Sequence, residues 1–78
     1  MSDLTKKVLE FLGEYTQLDD TVSEDSQLIA DLGLNSLTLM EIVNDAEDKY
    51  SITITDEELA GLVTVGDVVR LLVKKGVE

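Results

Sequence analysis

The 78-residue chain contains no cysteine, no histidine and no proline. Without cysteine it can form neither a disulfide nor a cysteine-based metal site. Without histidine it lacks the usual general base, the usual zinc ligand and the side chain that titrates near neutrality. No catalytic constellation can be assembled from what remains, so the chain reads as a non-enzyme with no metal site. Aromatic residues make up only 4% of the sequence, leaving Leu, Val and Ile to build the core. With no proline and many Leu, Val, Ile, Glu and Asp, the composition reads as helical. Long apolar runs are missing too. The opening stretch MSDLTKKVLEFLGEY has charges inside its apolar part, so it reads as neither a secretory signal nor a membrane span. The expected compartment is the cytoplasm.

Positive charge is scarce. Six Lys and Arg face 17 Asp and Glu, a net charge of −11. Such a surface repels nucleic acid and anionic membrane, which both need cationic contacts. It favours basic protein partners reached by electrostatic steering. The same charge would also keep an ordinary small domain soluble, so charge alone does not choose a function. A hydrophobic content of 44% with helical periodicity argues against disorder. The length predicts one domain, residues 1–78, that hides roughly 60% of its unfolded surface and works as a monomer.

Four segments read as helices. The first is predicted over Asp3 to Tyr15, where Leu4, Val8, Phe11, Leu12 and Tyr15 recur at helical spacing, with Ser2 or Asp3 as cap. The second runs from Ser36 to Tyr50, with Leu39, Ile42, Val43, Ala46 and Tyr50 inward and Asn35 or Ser36 capping. A short third helix is expected over Asp56 to Gly61, capped by Thr55 and opened by three acids that suit the helix dipole. The fourth is predicted over Val65 to Lys75, with Val65, Val68, Val69 and Leu72 inward. Thr64 and Asp67 form its capping box, Lys74 and Lys75 lie at its C-terminal end, and Gly76 stops it. Between the first two helices lies a long polar connection, expected to be anchored by Val22, Leu28, Ile29, Leu32 and Leu34. The segment SITIT, residues 51–55, alternates like a strand but has no partner, so it reads as an extended linker. The predicted fold is all-α, a small four-helix bundle of three longer helices and one short one, with a long loop between helices 1 and 2.

The informative stretch is Asp31-Leu32-Gly33-Leu34-Asn35-Ser36-Leu37. Gly33 suits a turn with positive φ, and Ser36 then stands at the mouth of the second helix. Helix N-termini favour anions, because their first N–H groups are unpaired and the dipole is positive there. A phosphate ester on Ser36 would be well placed. Serine is also among the commonest helix caps, and spacing alone leaves both roles open.

These residues resemble the modification site of the acyl carrier protein family, an acidic residue, Leu-Gly, an apolar residue, then Asp-Ser-Leu. The resemblance covers nearly the whole chain. Leu28 and Ile29, Met40-Glu41-Ile42-Val43, Ile54-Thr55-Asp56-Glu57-Glu58-Leu59 and Thr64-Val65-Gly66-Asp67-Val68-Val69 all fall where the family has similar residues. The resemblance implies that Ser36 carries 4′-phosphopantetheine, transferred from coenzyme A by a phosphopantetheinyl transferase. Acyl groups would ride on the arm's thiol as thioesters, in fatty acid or polyketide biosynthesis. One position departs: Asn35 stands where the family usually has Asp. Asn caps a helix as well as Asp, but it removes a charge that a basic transferase would meet.

The resemblance also implies a docking face on the second helix. Asn35 would belong to this partner face, and Leu37 and Met40 would supply apolar contact beside the arm. Glu41, Glu47 and Asp48, with Asp45 adding to them, would meet basic patches on ketosynthase, acyltransferase and reductase types of enzyme. Exposed ion pairs give ~0.2–1 kcal/mol each, enough for orientation and fast encounter without tight binding. Leu39, Val43, Ala46, Leu62 and Val68 are expected to line a cleft for the acyl chain. Two alternatives stand beside this reading: a specialised carrier for polyketide or nonribosomal peptide assembly, and an acidic adaptor without a prosthetic group. The Asp-rich loop lacks the spacing of a calcium-binding EF-hand.

Overall fold

The computed structural model describes residues 3–77. Four helices follow in order: α1 (Asp3–Leu12), α2 (Ser36–Tyr50), α3 (Asp56–Ala60) and α4 (Val65–Lys74). Three are longer and α3 has five residues, which is the predicted all-α architecture with its long α1–α2 loop.

The helices meet through their apolar stripes. Leu4, Val8, Phe11 and Leu12 of α1 join Leu39, Ile42, Val43 and Ala46 of α2 and Val65, Val69, Leu71 and Leu72 of α4 in one buried cluster. Tyr15 and Tyr50 are only partly buried at its edge. The expected α4 stripe shifts by one position, because Leu71 is buried while Val68 is half-buried. α1 stops at Leu12, three residues before the predicted end. The apolar period continues to Tyr15, but Glu14 and Tyr15 donate to the carbonyls three residues back and the chain turns. Tyr15 still reaches Phe11, ring edge to face at 5.6 Å. Ser2, the alternative cap for α1, lies outside the described residues.

Each helix end shows why it falls where it does. Thr55 and Glu58 form a reciprocal capping box on α3, and Thr64 and Asp67 form one on α4. After α4 the Gly76 N–H donates to the Val73 carbonyl and the Val77 N–H to the Leu72 carbonyl, with Gly76 at φ 84°. That is a Schellman ending, and it needs a residue that accepts positive φ. α2 ends less comfortably, since Ser51 takes the same left-handed conformation at φ 55°. Residues 51–55 form no strand, as expected. The Ile54 N–H in that linker donates to the Glu47 carboxylate at 2.8 Å.

The long loop is stitched to the start of α4. The Leu28 N–H donates to the Val63 carbonyl, the Val65 N–H to the Ser26 carbonyl and the Gly66 N–H to the Glu24 carbonyl, all within 3.0 Å. Leu28 is fully buried beneath these bonds, and Leu32 and Leu34 are buried beside it. Ile29 is the exception among the predicted anchors. It points outward and is 56% exposed, because the turn that buries Leu28 turns its neighbour to the surface. With the middle of the loop pinned to the start of α4 and the Thr16 hydroxyl donating to the Leu32 carbonyl, the entry to α2 is held in place.

Candidate functional site

Ser36 is the first residue of α2 and is exposed to solvent. Three local features put it there. The backbone of Gly33 takes φ 72°, which redirects the chain after the buried Leu32. Leu34 then inserts into the core and fixes the approach. Asn35 follows in an extended conformation, and its side-chain oxygen accepts the Thr38 N–H at 2.7 Å. Of the two candidate caps it is therefore Asn35 that caps α2. The Ser36 hydroxyl is spent on no hydrogen bond within the described fold.

The electrostatics suit an anion. No acid occupies the first turn of α2, whereas α3 begins with three and α4 with Asp67. From Leu32 to Met40 the chain carries no charged residue at all. Among the described residues the Ser36 and Leu37 N–H groups find no acceptor, so the positive end of the helix stays open. A phosphate esterified to Ser36 fits this end without displacing any existing partner.

Beside Ser36 lies an open apolar cavity of about 280 Å³, lined by Ile29, Ser36, Leu39, Met40, Leu59, Ala60 and Leu62. Leu39 and Leu62 are the two of the five expected cleft residues that reach it. Val43 and Ala46 are packed into the core deeper along α2, and Val68 is half-buried on α4. Ile29, Leu59 and Ala60 were not anticipated in this role. They come from the loop and from α3, and no spacing in the sequence brings either segment to Ser36.

Most of the expected docking face stands free. Leu37 is 67% exposed and Met40 50% exposed, and Glu41, Asp45 and Asp48 are exposed along α2. Leu37, Glu41, Asp45 and Asp48 follow at four-, four- and three-residue steps and so share one helix face. Glu47 is different. It is half-buried, and one of its oxygens holds the Ile54 N–H, so it fastens the α2–α3 linker. Elsewhere two carboxylates are held well below their ordinary range. Glu58 is lowered to about 2, first by its contact with Lys75 and then by the Thr55 N–H. Asp67 is lowered to about 2 by the Thr64 and Val63 N–H groups, with Arg70 adding to them. Glu58 ties the start of α3 to the end of α4 and Asp67 closes the start of α4, both at a distance from Ser36 in the sequence. Among the described residues no helix is long and apolar enough to cross a membrane.

Comparison with known proteins agrees with this geometry. The family model described as "Phosphopantetheine attachment site" matches residues 5–72. The acyl carrier protein of Beutenbergia cavernae is 49% identical over 64 residues, covering 81% of this chain and 78% of that protein. The meromycolate extension acyl carrier protein of Mycobacterium leprae is 40% identical over 68 residues, 86% of this chain. The aligned part spans only 59% of that longer relative. Among solved structures, an acyl carrier protein from Thermotoga maritima superposes with a TM-score of 0.77 at 30% identity, covering 92% of this chain and 85% of that one.

Proposed function

Because the chain belongs to the acyl carrier protein family, whose defining feature is a phosphopantetheine attachment site, we propose that its arm is attached to the Ser36 hydroxyl. The family's members are non-catalytic carriers of acyl groups, and this chain is one of them. The observation that supports the assignment is the free, exposed hydroxyl of Ser36 at an uncharged helix N-terminus beside an apolar cavity. When bound, the arm supplies a thiol that holds acyl groups as thioesters.

The chain's own contribution to loading is small and specific. Ser36 supplies the nucleophilic oxygen, and the Asn35 cap holds it at the helix mouth. The chain has no histidine, and no carboxylate hydrogen bonds the Ser36 hydroxyl, so the transferase must supply the base. The open N–H groups of Ser36 and Leu37 then stabilise the phosphodiester in place.

Membership of the family implies interaction with a phosphopantetheinyl transferase and with biosynthetic enzymes. Our reading of the contacts is finer. Leu37 and Met40 touch the partner beside the arm, and Glu41, Asp45 and Asp48 meet its cations. Glu47 contributes through the fold more than through the partner. The cargo is a fatty-acyl chain undergoing extension, a reading supported by the similarity to an acyl carrier protein and to a meromycolate extension acyl carrier protein. The whole chain, 1–78, serves as one carrier unit in the cytoplasm. Intact-mass measurement after incubation with coenzyme A and a broad-specificity phosphopantetheinyl transferase tests the assignment. One arm is gained by the native chain and none by Ser36→Ala. A gain that survives the substitution refutes it.

A further inference from the structure

Sulfur occurs in this chain only at Met1 and Met40, because cysteine is absent. Met40 is 50% exposed, so its side chain is open to small oxidants in water. It follows Ser36 by four positions on α2, which sets both side chains on one helix face with Cβ atoms about 5–6 Å apart. Both line the cavity at the helix mouth. The other lining residues are Ile29, Leu39, Leu59, Ala60 and Leu62, so Ser36 brings the one polar side chain to that wall.

We propose that Met40 is a reversible oxidation site whose sulfoxide slows attachment of the arm at Ser36. This rests on Ser36 being the attachment point. A hydroperoxide gives one oxygen to the Met40 sulfur: its O–O bond breaks, the S–O bond forms, and water or an alcohol leaves. The sulfur is oxidised by two electrons and the peroxide is reduced by two. An apolar thioether thereby becomes a polar group that accepts hydrogen bonds. Turned towards the cavity, the sulfoxide oxygen meets one side-chain donor, the Ser36 hydroxyl, which has no other partner among the described residues. A hydroxyl that donates there is withheld from the base of the transferase. Turned outwards, the sulfoxide puts a hydrated dipole into the apolar contact that Leu37 and Met40 offer the transferase, and docking must strip its water. Both orientations slow the same step. The fold is spared, since Met40 lies outside the buried core cluster. Methionine sulfoxide reductases, one for each epimer, restore the thioether at the expense of a dithiol, which becomes a disulfide as the oxygen leaves in water.

The test uses the full chain before any arm is attached, so that no thiol competes for the oxidant. The protein is treated with hydrogen peroxide, freed of it, and checked by tandem mass spectrometry for oxygen on Met40. Initial loading rates with coenzyme A and a broad-specificity phosphopantetheinyl transferase are then read by intact mass. Met40→Leu, which keeps Met1, is treated alike, and each chain is compared with its own untreated rate. The oxidised native chain is expected to load roughly three- to tenfold more slowly, about the worth of one hydrogen bond. Both reductases together should restore its rate, and peroxide should leave the rate of Met40→Leu where it was. Far-ultraviolet circular dichroism should be the same before and after oxidation. Equal loading with Met40 fully oxidised overturns the proposal. So does a slowing shared by Met40→Leu, which assigns the effect to Met1, a loss of helix on oxidation, or a Met40 that peroxide leaves intact while oxidising free methionine. Failure of the untreated native chain to load contradicts the Ser36 assignment instead.

Discussion

Replacing Asn35 separates its two roles, closing the helix and setting the charge beside Ser36. In the structure its side-chain oxygen accepts the Thr38 N–H at 2.7 Å, and no other side chain caps α2. Asn35→Ala leaves that N–H to water, and loss of such a cap costs about 1 kcal/mol, within a range of ~0.5–2. For a domain of this size that lowers the melting temperature by roughly 4–8 °C. Asn35→Asp keeps the cap and adds a negative charge at the positive end of the helix, a gain of ~0.3–1 kcal/mol at low salt. Urea unfolding followed by circular dichroism measures both, at low and high salt. Stability should rank Asp at or above Asn, and Ala clearly below. The gain of Asp over Asn should shrink as salt rises. If Ala proves equal to Asn, α2 is held by packing alone and the cap account of Ser36 placement fails. If Asp is as destabilising as Ala, the hydrogen bond to Thr38 is not what matters.

Three further outcomes follow from the same structure. Leu28→Ala empties a fully buried site under the loop and should cost ~2–5 kcal/mol by urea unfolding. That is a large part of the roughly 4–12 kcal/mol expected of a chain this long, so limited proteolysis should also cut the α1–α2 loop faster. Ser51→Gly relieves a left-handed backbone position and should raise stability by about 1 kcal/mol, seen as a higher melting temperature. Acid should weaken the fold in a defined window. Glu58 and Asp67 are lowered to about 2 from ordinary values of 4.5 and 3.8, so the folded state binds fewer protons than the unfolded one. Their contribution is complete above pH ~4.5 and is lost as pH falls towards about 2. In urea midpoints measured across that range, Glu58→Gln should flatten part of the slope.

The sequence made the helices legible where local chemistry and tertiary packing agree. Thr64, Asp67 and Gly76 act as signalled because caps depend on residues a few positions apart. The end of α1 was misread because Tyr15 keeps the apolar period, although the chain has already turned at Gly13. Ile29 was misread because an apolar loop residue suggests an anchor, and of the adjacent pair Leu28 and Ile29 the turn buries only Leu28. The entrance at Ser36 could be placed from Gly33, Asn35 and the apolar residues around them. The wall formed by Ile29, Leu59 and Ala60 could not, since it depends on how the loop and α3 pack around α2. Glu47 shows the same limit. Its spacing suggests a free acid on the docking face, and only the fold reveals that it holds the Ile54 N–H.

The most direct test is to purify the protein from cells that make it naturally and sequence its peptides by tandem mass spectrometry. The account predicts a phosphopantetheine mass confined to Ser36, with a labile acyl group on part of the material. An arm localised to any other hydroxyl, or a population carrying none under growth conditions where fatty acids are being made, contradicts it.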